Sequence, residues 1–269
     1  MTAENMIAGD VANVLESVLP AAGDVYVVNP ARETIDALVN TLDRLESPPP
    51  VRLLSPERPL KSVMDDFLVA STAADLIEAG ILSLRVTDDH LVNSLVVTDD
   101  AVVSLVTASD ATAGLTTQDG SFVSETVTFY EEMWETASEF TLRTPPLSRV
   151  RSTLAAEISE EARADFDTVL DSVSTASGDG LDEVTISLLV AARNRELLYD
   201  ISKWGEDVGL ASKATFSRTK TQLEDQGLLD TEKVPIEVGR PRLRLVPGDS
   251  SPDAADIEEL TRHAQATLG

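Results

Sequence analysis

Cysteine is missing altogether, so neither a disulfide framework nor a Cys-based zinc site can hold this chain together. Lysine is nearly as scarce: Lys61, Lys203, Lys213, Lys220 and Lys233 are the whole set, and the other sixteen cations are Arg. Aromatic residues make up 4% of the chain. No stretch reaches the ~20 uninterrupted apolar residues that crossing a bilayer requires, and residues 1–10 are acidic, without the basic start and apolar run of a secretory leader. These absences predict a soluble, cytoplasmic protein with no membrane partner.

Catalytic signatures are missing too. The two histidines, His90 and His263, lie in different regions and offer no ligand spacing. There is no Gly-rich loop running into Lys-Ser/Thr, no G-x-S-x-G elbow and no G-x-G-x-x-G turn. Neighbouring acids such as Asp65-Asp66, Asp88-Asp89, Asp99-Asp100 and Glu131-Glu132 arise from composition alone in so acidic a chain. No catalytic residue, metal ligand or cofactor is expected, and the protein is expected not to be an enzyme.

What the sequence does have is acid. Against 21 Lys and Arg stand 47 Asp and Glu in 269 residues, a formal net charge of −26, while 42% of the residues are hydrophobic. That is enough apolar material for one large or two modest cores under an acidic skin. Abundant acid, little lysine, small aliphatics and few aromatics together match proteins that work in molar salt. There the Debye length falls to roughly 3 Å, and a surface of one sign repels itself little.

Hydrophobic spacing divides the chain. In residues 1–145, Asp24–Asn29 and Val51–Ser55 are β-rich runs flanking a helical period through Ile35, Leu38, Val39, Leu42 and Leu45, a β-α-β unit. Leu60–Ala79 repeats the helical spacing, and Ile81–Val86 returns to strand. Leu95–Val97 and Val102–Val106 flank Thr98-Asp99-Asp100 as a hairpin, and Ser121–Phe140 reads as a helix. The expected fold here is α/β, a mixed sheet with helices. Thr144-Pro145-Pro146 marks a boundary. Residues 146–180 then carry an amphipathic stripe (Leu154, Ile158, Ala162, Phe166, Leu170, Val173) and a small polar joint, STASGDG. That connecting helix either packs on its own subunit or forms a dimer; a stripe does not name its partner.

Residues 181–248 change to three helices followed by a hairpin. Val184–Val190 gives a buried first helix and Leu198–Val208 a second, and Gly209 permits a sharp turn. Ser212 caps a third helix running to about Asp225, with Phe216, Thr219 and Leu223 inward. Two strands then meet at Gly239-Arg240-Pro241-Arg242. Helix, helix, turn, helix, wing is the winged helix-turn-helix order, in which the third helix enters the major groove and the wing lies on the backbone or minor groove. Charge agrees with this: residues 203–244 hold eight Lys/Arg against seven Asp/Glu, whereas residues 1–202 balance to −23. The segment shaped to read duplex DNA is the one spared the acid. The acidic tail 249–269 is expected to be partly helical.

Roles follow from side-chain chemistry. Arg218 is expected to pair with a guanine edge, and Thr215, Ser217 and Gln222 to hydrogen-bond to bases. Ser212, Lys213 and Lys220 would hold phosphates. Arg240, Arg242 and Arg244 would grip the backbone or minor groove at the wing. The expected partner is double-stranded DNA, read as two half-sites by a homodimer. Other readings are a winged helix that docks on a protein, and an α/β metabolite enzyme with an accessory domain.

The segments DEVTISLLVAARN (182–194), LLYDISKWGEDVGLASKATFSRTK (197–220) and VGRPRLRL (238–245) resemble the haloarchaeal TbsP-type transcriptional regulators, linked with TrmB regulators in controlling sugar-metabolism genes. The resemblance implies a cytoplasmic DNA-binding regulator of gluconeogenic or glycolytic genes. LVVTDDAVVSLV and FYEEMWETASEF also resemble the sensor portion of archaeal winged-helix regulators, similar to half of a phospholipase D fold, which implies a small-molecule effector at the N-terminal domain. The His-x-Lys pair of phospholipase D chemistry is missing, since Leu91 and Val92 follow His90.

Overall fold

The computed structural model describes residues 6–8, 10–89, 91–108, 111–174, 181–235, 241–248 and 256–268. The chain divides into two compact units, Met1–Leu142 and Arg143–Gly269.

In the first unit, β1 (Met6–Ala8), β2 (Val25–Val28), β3 (Val51–Ser55), β4 (Leu82–Val86), β5 (Leu95–Val97), β6 (Val102–Ala108), β7 (Ala111–Thr117) and β8 (Ser138–Glu139) form one sheet in the order β1-β7-β6-β5-β2-β3-β4-β8. The pairs β2/β3 and β3/β4 are parallel and the others antiparallel, so the sheet is mixed. Side chains alternate across it. Val25, Val27, Leu53, Leu82 and Leu84 face one core with helices α1 (Val11–Val18), α2 (Arg32–Arg44), α3 (Glu57–Met64) and α4 (Phe67–Glu78). Tyr26, Val28, Leu54, Leu95 and Val97 face a second core under α5 (Gly120–Thr136).

Three details depart from the spacing of apolar residues. The helical period over 60–79 is two helices, because Asp66 accepts the Val69 N–H at 3.2 Å and so caps a new one. The helix from Ser121 stops at Thr136, and Ser138–Glu139 turns back to pair with Arg85 and Val86. Strand β7 (ATAGLTT) carries almost no apolar signal; it forms because β6 offers it a full antiparallel ladder from Val102↔Thr117 to Ala108↔Ala111.

The second unit holds α6 (Leu147–Glu157), α7 (Glu160–Ser174), α8 (Glu183–Arg193), α9 (Leu198–Val208), α10 (Lys213–Asp225), β9 (Leu229–Val234), β10 (Arg242–Pro247) and α11 (Ile257–Leu268). The stripe expected to form one connecting helix is two helices, broken where Ile158 leaves helical geometry (φ −110°, ψ −84°) and Ser159 accepts the Ala162 N–H at 3.2 Å. Arg151 and Arg163 both bind Asp167, at 2.6 and 2.5 Å, clamping α6 to α7. Leu154, Ala162, Phe166 and Leu170 of the stripe are buried within their own unit. Asp165, nearly buried, accepts from Arg193 at 2.5 Å and Asn194 at 2.6 Å, which ties α7 to the end of α8. Helix α8 is buried from Val184 to Ala192 and forms the centre of the unit. The C-terminal segment adds to the same core through Ile257, Leu260 and Ala264.

Candidate nucleic-acid interface

Helices α9 and α10 meet at a turn whose shape is set by a few residues. Gly209 closes α9 at φ +93°, a left-handed conformation that suits glycine. Leu210 donates back to the Gly205 carbonyl at 2.8 Å. Ser212 then starts α10: its hydroxyl accepts the Thr215 N–H at 3.2 Å and pairs with the Thr215 hydroxyl at 3.0 Å. Phe216 is fully buried against α9, and Trp204 anchors α9 to α6 by donating its indole N–H to Thr153 at 2.9 Å.

With Phe216 and Leu223 inward, the opposite face of α10 carries Ala214, Ser217, Arg218 and Thr221, all exposed. Arg218 has no ion pair among the described residues. Thr221 was missed by side-chain reasoning from the sequence; its position one turn beyond Ser217 on the helix could have found it. Its hydroxyl donates to the Ser217 carbonyl at 3.1 Å. Gln222 sits on the flank, beside Asp182 and Thr185 of the α8 start rather than on the outward face.

The lysines are placed differently from expectation. Lys213 stays exposed but binds Glu206 of α9 at 2.7 Å. This pair raises the pKa of the ammonium and lowers that of the Glu206 carboxyl, in both cases chiefly through the shared hydrogen bond. Lys203 and Asp207 form a similar exposed pair at 2.6 Å. Lys220, expected to hold a phosphate, is turned less outward than Lys213: its side chain is 12% exposed and binds Glu224 at 2.5 Å. Glu224 also accepts the Thr231 hydroxyl at 3.0 Å, so Lys220 belongs to a lock between α10 and the first wing strand.

The wing strands pair antiparallel, with Arg242 opposite Val234 and Arg244 opposite Glu232. Leu197 bridges to Arg244, and Leu245 donates to the Glu196 carbonyl at 2.8 Å, so the segment before α9 extends this small sheet. Arg242 lies over the Tyr199 ring, 4.8 Å from its centroid, with Asp200 at 3.6 Å. Arg244 lies near the Glu196 carboxyl, whose pKa is raised first by burial and then by Asp200, and lowered by Ser159 and Arg244. Arg240 and the wing tip lie outside the described residues. The exposed Tyr199 is a second feature absent from the sequence reading; its pairing with a wing arginine is made only in three dimensions.

A buried helix, a second helix, a glycine turn, a capped third helix with an exposed polar face and a two-stranded wing define a winged helix-turn-helix, a class built to lay its third helix on duplex DNA. Residues 3–145 match the N-terminal domain of TbsP-like transcriptional regulators, and residues 146–265 match their C-terminal helix-turn-helix domain. The chain belongs to the TbsP-like transcriptional regulators. Among solved structures it is similar to TrmBL2, described as an archaeal chromatin protein with a novel mode of DNA binding, at 16% identity and a TM-score of 0.37. That match covers 51% of this chain and 54% of the other, so the chain spans about half the length of TrmBL2. It is also similar to NucT from Helicobacter pylori, at 14% identity and a TM-score of 0.36, over 51% of this chain and 99% of the other. No curated protein matches the sequence. Among the described residues, no helix is long and apolar enough to cross a membrane.

Proposed function

We propose that this regulator binds a specific operator as a homodimer, each α10 entering the major groove of one half-site and each wing lying on the adjacent backbone or minor groove. The observation that carries the reading is the outward face of α10, where Ser217, Arg218 and Thr221 stand exposed on a helix whose other side is locked into the core. Arg218 reads a guanine edge; Ser217 and Thr221 hydrogen-bond to neighbouring bases. Thr215 is committed to the helix cap and Gln222 to the flank, so their base contacts are secondary. Ser212 and Lys213 at the start of α10, with Arg242 and Arg244, hold phosphates. Arg240 belongs with them by its place in the sequence.

The N-terminal α/β unit is the sensing or assembly half. The resemblance to haloarchaeal TbsP-type regulators, with the acid-rich and lysine-poor composition, supports a cytoplasmic regulator of gluconeogenic or glycolytic genes in a halophile. Selection from random duplexes at high KCl tests the DNA reading: enrichment of a pseudo-palindrome supports it, and no enrichment alongside a co-purifying protein supports a protein-docking winged helix instead. Genome-wide occupancy under two carbon sources tests the sugar-metabolism targets.

A further inference from the structure

Helix α5 covers only part of its sheet face. Val123 and Trp134 pack over Tyr26, Val28, Leu95 and Val97, while Val106 and Leu115 on the outer strands remain exposed. Strand register sets Leu95, Ser104 and Leu115 in one cross-strand row and Val102 and Thr117 in the next. Opposite that floor stand Phe122, Thr126, Phe129 and Tyr130 of α5. The groove between has a volume of about 710 Å³, within the usual range for small-molecule clefts. Its two phenylalanines are 51% and 55% exposed, an unusual display in so acidic a protein.

The groove is not purely apolar. Among the described residues, the Ser104 and Tyr130 hydroxyls and the Asn93 amide make no hydrogen bond within the chain. Thr126 donates to the Phe122 carbonyl at 2.7 Å and keeps its lone pairs for an incoming donor. Burial pushes the Tyr130 phenol up, so it remains a protonated donor at neutral pH. Among the described residues that line the groove, Glu125 is the one carboxyl and none is Lys, Arg or His.

We propose that this groove binds an uncharged small molecule with a flat apolar body and hydroxyl groups. The aromatic rings take the apolar face, and Ser104, Tyr130 and Asn93 supply the hydrogen bonds that orient it. An anion entering the same space finds no cation among the described lining residues and meets Glu125, so phosphorylated or carboxylated compounds are disfavoured.

The proposal rests on the sensor reading of this unit, and two measurements keep the two apart. Saturation-transfer NMR on the full chain compares 4-hydroxyphenethyl alcohol with 4-hydroxyphenylacetate, which share a ring and differ in the charge of the side group. The expected result is that the alcohol binds at least about fivefold more tightly, and that Ser104→Leu abolishes its signal without lowering the melting temperature. Equal or tighter binding of the carboxylate, no transfer to either probe, or undiminished binding in Ser104→Leu overturns the site. So does a wild-type dimer that Phe129→Asp converts to a monomer, since the groove is then a subunit contact. Operator affinity measured with and without the alcohol is separate: an unchanged value removes the sensor reading and leaves the binding site standing.

Discussion

Gly205 of α9 lies so close to Phe216 of α10 that a methyl group built on its Cα would stand 2.3 Å from the ring carbons Cε2 and Cζ. The ring is fully buried and cannot move aside without opening the core. The absence of one side chain therefore fixes how closely the two helices approach, and with it the angle at which the outward face of α10 is presented.

Gly205→Ala should therefore both destabilise the unit and spoil recognition. Overpacking of this kind costs about 1–3 kcal/mol. Thermal unfolding should show that loss, and operator affinity should fall even though no exposed group has changed. A variant as stable as the parent would show that the helices can separate freely.

Arg218→Ala and Lys220→Ala separate reading from locking. Losing Arg218 should cost about 1–3 kcal/mol of discrimination at one base position of each half-site and leave the fold intact. Losing Lys220 should leave the base preference unchanged and lower stability by about 1–2 kcal/mol, because Glu224 then loses its charged partner. Selection and denaturant titration of both variants check this; an unaltered preference in Arg218→Ala removes its assigned role.

Glu206→Gln should strengthen DNA binding. In the parent, Lys213 and Arg242 are held by Glu206 and Asp200, so contact with DNA exchanges a carboxylate for a phosphate. Affinity of the parent should therefore fall with added KCl less steeply than its basic residues imply, where each phosphate neutralised contributes a slope of about −0.9. With Lys213 released, the variant should bind random duplex more tightly and show a steeper slope. An identical slope would mean that the Glu206 pair does not restrain Lys213.

Glu183 gives a pH-dependent prediction. Burial first, and the neighbouring Asp182 charge, push its carboxyl above the ordinary 4.5, against a backbone hydrogen bond that lowers it. A raised carboxyl stabilises the fold below the unfolded value, and that contribution is lost as pH rises through the raised one. Glu183→Gln should raise the melting temperature at pH 7 and give no gain below about pH 4. A gain that persists in acid contradicts this account.

Helices α8, α9 and α10, the Ser212 cap, the Gly209 turn and the paired wing strands were legible in the sequence because each depends on residues a few positions apart. Apolar period, capping hydroxyls and left-handed glycines act locally. The breaks at Asp66 and Ser159 were legible in principle too, as capping residues inside a continuous stripe, but the stripe masked them.

Tertiary structure alone decided where the cations point. A lysine or arginine side chain is long and rotates freely, so it follows whichever acid or ring the fold brings near: Glu206 for Lys213, Asp200 and Tyr199 for Arg242, whereas Lys220 meets Glu224 locally, four residues further along α10. The same holds for β7, a strand of small residues held between the β6 and β1 ladders, and for the groove beneath α5 that β7 helps to floor. Local pattern set the elements. Contacts between residues distant in the sequence set which of their side chains remain free to act.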